Sequence, residues 1–177
     1  MTRYAVLLRG INLGRSRRVG MADLRAALTE EGYEGVGTLL QSGNVVLDSD
    51  LAPARLKTAL ESSLQDRFGM PIEVILRSRD EMARVVAFNP LGEVADDGSR
   101  YVVAFLASAA GKDDPLAGVE TGAERYVIDG SEMYLWLPGG QQNSPTMKAL
   151  GKIKTGPSAT VRNWNTVEKL LAMLDRP

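Results

Sequence analysis

The chain has 177 residues, of which 44% are hydrophobic and 24% charged, and its formal net charge of −1 argues against a protein that coats DNA. It contains no cysteine and no histidine, which excludes disulfides, thiol nucleophiles, thiolate zinc sites and the Ser-His-Asp triad. No apolar run approaches the roughly 20 residues that span a bilayer, and no signal-peptide pattern precedes the first strand. We therefore expect a cytoplasmic protein without a membrane partner.

The first half of the sequence predicts the βαββαβ order of a ferredoxin-like unit. Its first strand, residues 3–9, has apolar residues on both faces, which predicts burial on two sides. The remaining elements are a helix at 21–32, strands at 36–41 and 44–48 joined by a hairpin turn, a helix at 53–69 and a strand at 72–76. We assign residues 1–77 to this half.

Residues 78–177 repeat the pattern less regularly. The predicted elements are a helix at 78–88 with a Ser78–Glu81 capping box, a doubly apolar strand at 101–107, and strands at 125–129 and 132–137 around an Asp129-Gly130 turn. Residues 138–159 are expected to form a loop, and a final helix is expected from about Thr160 to Leu174, with Trp164 in the core. The βxββα order predicts a second, incomplete ferredoxin-like half, so the fold class is α+β with two packed halves.

Several blocks of the sequence resemble one bacterial family, known as domain of unknown function 1697. The resemblance is carried by YAVLLRGINLG near the N-terminus, by QSGNVVL in the middle of the first half and by ATVRNWNTVEKLLAML near the C-terminus. It implies an α+β fold with ferredoxin-like halves. It implies no activity, substrate, cofactor or catalytic residue.

Arg9 and Asn12 follow the first strand, where the chain leaves the sheet for a loop. In one interpretation, Arg9 binds an anion through its guanidinium and Asn12 donates a hydrogen bond to the same ligand. In the other, Arg9 forms a buried ion pair and Asn12, with Gly10, stabilises a turn. A further cluster in this loop (Arg15, Arg17 and Arg18) would also suit phosphates.

A second basic segment near the C-terminus contains the other four candidates: Lys152, Lys154, Thr160 and Arg162. They directly precede or begin the expected final helix, whose free N–H groups and positive dipole end would favour an anion. The alternative is a solvated basic loop in which Thr160 is a plain N-cap and Arg162 pairs with a carboxylate. We expect the two segments to meet, with Arg9 and Arg162 beside one concave spot.

The sequence therefore favours an anion-binding protein whose ligand is a phosphorylated small molecule or a nucleic-acid end. No cofactor and no metal site are predicted. Two alternatives stay open: a Mg²⁺-dependent hydrolase or transferase that uses Asp or Glu, and a protein-interaction module that uses the acidic segment 90–135. An RNA-binding sheet is not supported, because the strand at 45–48 lacks stacking aromatics.

Overall fold

The structure, a computed structural model, describes residues 1–176 and contains two four-stranded sheets. The strands are β1 (Thr2–Leu8), β2 (Glu34–Leu39), β3 (Asn44–Ser49), β4 (Val74–Ser78), β5 (Tyr101–Leu106), β6 (Arg125–Asp129), β7 (Glu132–Trp136) and β8 (Ala159–Asn163). The helices are α1 (Met21–Glu30), α2 (Pro53–Phe68), α3 (Arg79–Phe88), α4 (Pro145–Lys152) and α5 (Trp164–Leu174). The chain forms two compact units: one contains Met1–Arg84 and the residues from Lys169 onward, the other Val85–Glu168.

The first unit has the predicted ferredoxin-like topology. Its strand order is β2-β3-β1-β4, and each neighbouring pair is antiparallel. One face of β1, formed by Tyr4, Val6 and Leu8, belongs to a core that also includes the apolar stripes of α1 and α2. The two helices therefore cover one face of this sheet.

The second unit has the same strand order, β6-β7-β5-β8, again with antiparallel pairs only. Its core includes Val102 and Ala104 of β5, with Met147 and Leu150 of α4 packed against it. Turns occupy the chain between β5 and β6, where the first unit has a helix. The second half is thus incomplete, as predicted, because it lacks this one helix.

Both central strands are buried on both faces, as their sequences predicted. In β1, Ala5 and Leu7 are as fully buried as Val6 and Leu8 on the opposite face. In β5, every residue is buried. Trp164 is also buried, and its ring stacks on Tyr101 with the centroids 4.6 Å apart, which confirms its place in the core.

The prediction for residues 138–159 and for the start of the final helix is wrong in two places. Ser144 caps a helix that the sequence analysis missed, α4, by accepting a hydrogen bond from the backbone N–H of Met147 at 3.0 Å. Thr160 and Arg162 lie in β8, whose residues alternate in burial and pair with β5, and α5 begins only at Trp164. The β-branched pair Thr160-Val161 favours a strand here, and pairing with β5 decides the outcome.

The last strand of each sheet carries a buried arginine at the same position. Arg77 of β4 is paired with Ala5 of the first strand in its sheet, and Arg162 of β8 is paired with Val103 of β5. Each guanidinium donates to the backbone carbonyl of the preceding residue, at 2.8 Å and 2.9 Å. The two sheets therefore share a residue-level repeat that the sequence analysis did not detect.

The repeat continues into the following helix. Ser78 and Glu81 form the predicted capping box before α3: Ser78 N–H donates to Glu81 Oε2 at 2.7 Å and Glu81 N–H donates to Ser78 Oγ at 3.2 Å. At the corresponding place before α5, Asn163 Oδ1 accepts from the N–H of Thr166 at 3.0 Å. Each last strand thus ends in an arginine and a capping residue.

Among residues 1–176, no helix combines the length and the apolar character that crossing a membrane would require.

Candidate anion-binding site

The loop between β1 and α1, residues 9–20, is called the basic loop below. It contains four arginines: Arg9, Arg15, Arg17 and Arg18. Asn12 fixes its conformation, because its side-chain Nδ2 donates to Val19 O at 2.9 Å and to Gln41 O at 2.7 Å. Asn12 Oδ1 also accepts from the N–H of Val19 at 2.8 Å. Both side-chain N–H donors of Asn12 are therefore used by the fold.

The middle of the basic loop forms a tight turn. Asn12 N–H donates to Arg17 O at 2.9 Å, and inside this bridge Ser16 N–H donates to Leu13 O at 3.3 Å. Residues 13–16, called the tip below, are all exposed. The basic loop is thus an ordered projection whose shape is set by backbone and Asn12 hydrogen bonds.

Arg9 lies at the start of this loop and faces a carboxylate. Its Nη1 is 3.5 Å from Glu73 Oε2, and its backbone N–H donates to Glu73 O at 2.9 Å. The Arg9 side chain is 49% exposed, so the ion pair is exposed rather than buried and contributes little to stability. The guanidinium of Arg9 therefore stays accessible to a ligand.

The other three arginines of the basic loop are exposed. Arg17 Nε donates to Gly10 O at 2.7 Å, and its Nη2 donates to Pro71 O at 2.6 Å. These contacts fix the Arg17 guanidinium without neutralising it. Within residues 1–176, no carboxylate pairs with Arg15, Arg17 or Arg18.

The Ser42-Gly43-Asn44 turn is packed against the basic loop. Gly43 has φ 84°, and a Cβ at this position would lie 2.7 Å from Ile11 Cδ1 and 2.8 Å from Leu8 Cβ. Asn44 is fully buried, and its Nδ2 donates to Leu39 O at 2.7 Å. Backbone conformation and packing thus account for this turn.

Lys152 and Lys154 are exposed in the second unit: Lys152 is the last residue of α4, and Lys154 lies between α4 and β8. The next element in the chain after these lysines is the strand β8, so they do not precede the N-terminus of a helix. Asn163, not Thr160, caps α5. The helix dipole therefore gives no reason to place an anion at these lysines.

Thr160 and Arg162 are buried in β8, with relative exposures of 6% and 7%. Arg162 Nη1 donates to Thr160 Oγ1 at 2.7 Å and to Val161 O at 2.9 Å. Burial lowers the pKa of Arg162 to about 10, because removing the guanidinium from water disfavours its charged form. Thr160 and Arg162 are therefore buried and take part in hydrogen bonds within the second unit.

The six predicted site residues lie in both units. Arg9 and Asn12 belong to the first unit, and the C-terminal four belong to the second. The meeting of Arg9 with Arg162 stays a prediction. Two exposed leucines, Leu13 in the basic loop and Leu40 in the turn joined to it, were not predicted from the sequence because neither stands out from the apolar residues around it.

Carboxylates also lie near Arg9. Lys57 Nζ is 2.6 Å from Glu61 Oε1 and 3.9 Å from Glu73 Oε1, so the two carboxylates share one ammonium group. In residues 1–176 no group of three or more acidic side chains is arranged to hold a metal ion.

Comparisons with known proteins agree with the fold and give no activity. A family model described as "Protein of unknown function (DUF1697)" matches residues 1–134. The structure of the conserved bacterial protein SP0830 from Streptococcus pneumoniae is similar, with a TM-score of 0.80 and 27% sequence identity over 98% of this chain and 99% of that one. No curated protein matches the chain.

Proposed function

Since the chain belongs to the DUF1697 family, whose description names no activity, we propose a function from the geometry of its first unit. The protein binds a phosphate-bearing ligand through the basic loop. The observation that supports this proposal most is the set of exposed guanidinium groups without carboxylate partners among residues 1–176: Arg15, Arg17 and Arg18.

Like charges on one short loop repel each other, and an anion relieves this repulsion. Guanidinium groups also match phosphate oxygens in geometry, because each can donate two parallel hydrogen bonds. Arg9 adds a fourth group at the edge of the same loop, since its 3.5 Å contact with Glu73 leaves the side chain half exposed. The loop thus offers several donors to one polyanionic partner.

The loop is also held in its conformation by hydrogen bonds, which favours binding. Asn12 bonds to Val19 within the loop and to the Gln41 carbonyl outside it, and Arg17 donates to two backbone carbonyls. A preformed loop loses less conformational entropy when a ligand binds than a mobile one does.

Thermal denaturation with added ligand tests the proposal. We would titrate inorganic phosphate, a nucleotide and a short oligonucleotide against the wild-type protein and the Arg15→Gln/Arg18→Gln variant. Ligand at about a hundred times its Kd should stabilise the wild-type protein by roughly 2.7 kcal/mol. The variant should lose most of this stabilisation.

A matched control is the Arg55→Gln/Arg84→Gln variant, which removes the same charge from two exposed arginines on helices α2 and α3 of the same unit. It should respond like the wild-type protein. If no phosphate compound raises the Tm, or if both double variants respond equally, the basic loop is not the binding site.

A further inference from the structure

We propose that the phosphate-bearing partner is an anionic lipid surface, into which Leu13 and Leu40 insert while the arginines of the basic loop bind lipid phosphates. This inference rests on the proposed function and names its ligand. No membrane partner is expected from the sequence, because hydropathy detects only segments that span a bilayer, whereas two exposed leucines act at its surface.

Leu13 stands at the tip of the basic loop. Its relative exposure is 65%, which is the highest value of any large hydrophobic side chain between positions 2 and 176. The tip is closed at its base by the hydrogen bond from Asn12 N–H to Arg17 O at 2.9 Å. An apolar side chain is therefore presented to solvent by an ordered turn.

Leu40 lies on the adjacent turn, before β3, and is 54% exposed. Asn12 and Gln41 are the chain neighbours of Leu13 and Leu40, and the 2.7 Å hydrogen bond from Asn12 Nδ2 to Gln41 O joins the two loops. The two exposed leucines therefore lie on one edge of the first unit, beside the arginines.

Backbone strain is concentrated at the same edge. Four residues of the described chain other than glycine have a left-handed backbone: Asn12, Arg17, Leu40 and Asn89. Three of these four lie in the basic loop or in the turn joined to it. Leu40, with φ 60°, and Arg17, with φ 51°, cannot offset this conformation with a short polar side chain as asparagine does. A strained backbone that exposes an apolar side chain suggests that the side chain has a partner.

The arrangement fits a lipid surface better than a nucleic acid or a peptide. Leucine has no ring on which a base could stack, and an exposed tip is not a groove that would hold a peptide. Arg17 is bound at the base of the turn, behind Leu13, and Arg15 lies in the tip itself, from which its long side chain can reach back. This order matches a bilayer interface, where phosphates lie outside the acyl chains and long basic side chains reach back toward them.

Co-sedimentation with vesicles tests the inference. We would compare vesicles of phosphatidylcholine alone with vesicles that also contain phosphatidylglycerol, at low and high salt. The wild-type protein should sediment with the anionic vesicles only, and salt should weaken its binding. The Arg15→Gln/Arg18→Gln variant should bind roughly twenty-five times more weakly, since each arginine near an anionic surface contributes about fivefold.

The decisive variant is Leu13→Ser/Leu40→Asn, because asparagine tolerates the left-handed backbone at position 40. It should bind anionic vesicles about tenfold more weakly than the wild-type protein does. Soluble phosphate compounds should raise its Tm as much as they raise that of the wild-type protein. Val94→Ser, which removes an exposed apolar residue from the second unit, is the control.

The contrary outcomes distinguish the lipid inference from the proposed function. If vesicles do not bind, or bind the leucine variant as well as the wild-type protein, while soluble phosphates still raise the Tm, the lipid inference is wrong and the proposed function stands. If an oligonucleotide binds and vesicles do not, the partner is a nucleic acid. If neither vesicles nor soluble phosphates bind, both claims are wrong.

Discussion

Asn12 shows how one side chain can determine the shape of a loop. It has a left-handed backbone with φ 53°, which asparagine tolerates better than most residues, and its side chain makes three hydrogen bonds to Val19 and Gln41. From the sequence alone, Asn12 fits either a ligand-binding role or a turn-stabilising one. The hydrogen bonds support the structural role and leave the neighbouring arginines as the groups that face solvent.

Asn12→Ala should lower the free energy of unfolding by about 2–4 kcal/mol, because three hydrogen bonds are lost and alanine is strained in this conformation. Asn12→Asp should cost more than alanine, since a carboxylate would face two carbonyl oxygens where an amide now donates. Urea denaturation of the three proteins measures this order. An alanine variant as stable as the wild-type protein would show that Asn12 does not hold the loop.

Arg162 gives a prediction for the dependence of stability on pH. Its pKa in the folded protein is lowered to about 10 by burial, whereas the pKa of an arginine in the unfolded chain keeps its ordinary, higher value. Between these values the unfolded state binds more protons, so the free energy of unfolding should rise with pH. Below about pH 10 both states are charged, and the desolvation cost of Arg162 is fully present.

The test is the difference in stability between the wild-type protein and Arg162→Leu, measured by urea denaturation from about pH 9 to about pH 11. Lysines and tyrosines titrate in both proteins, so their effects largely cancel in the difference. The wild-type protein should gain stability relative to the variant as pH rises past about 10, by at most about 1.4 kcal/mol per pH unit. A constant difference, or one of opposite sign, would contradict the assignment of the pKa to burial.

At the scale of elements, periodicity predicted most helices and strands because their apolar residues are spaced for one buried face. The failures lie where tertiary pairing decides. Thr160 to Asn163 reads as the start of a helix when only Trp164, Val167 and Leu171 are considered, but the backbone before Trp164 pairs with β5. Helix α4 was missed because it is short and lies in a stretch rich in glycine and polar residues, with only its Ser144-Pro145 start as a signal.

The candidate site was harder to predict than the fold, for a physical reason. Exposure and hydrogen bonding decide whether an arginine binds a ligand, and neither follows from the residue type. Arg162 and Arg15 look alike in sequence, yet the first is buried beside Thr160 and the second is exposed at the tip. The sequence did indicate the excess of arginine in residues 1–25, where six arginines accompany one acid.

The repeated strand–helix unit gives a prediction for the two helix caps. Ser78→Ala and Asn163→Ala should each lower the free energy of unfolding by about 1 kcal/mol, because each removes the side-chain acceptor for a free N–H in the first turn. Ser78→Gly and Asn163→Gly should cost less than the alanine variants, since glycine is a better N-cap than alanine. If only one alanine variant is destabilised, the two units are not equivalent at their caps.

At the scale of the whole molecule, a net charge of −1 conceals an uneven distribution. Basic residues dominate the N-terminal 25 positions, whereas residues 90–135 hold nine acids and three bases. A protein with this distribution can bind an anionic partner at one surface without being basic as a whole. Its binding should weaken as salt concentration rises, because surface charges are screened over about 10 Å at 0.1 M salt.

The central claim is that a phosphate-bearing partner binds at the basic loop, and a chemical-shift titration tests it most directly. Backbone amide resonances of the labelled protein would be followed as inorganic phosphate and then a nucleotide are added. We predict that the largest shifts occur in residues 9–20 and at the joined turn of residues 40–43, and that Arg15→Gln/Arg18→Gln abolishes them. Shifts confined to the segment with Lys152 and Lys154, or no saturable shifts at all, would contradict the claim.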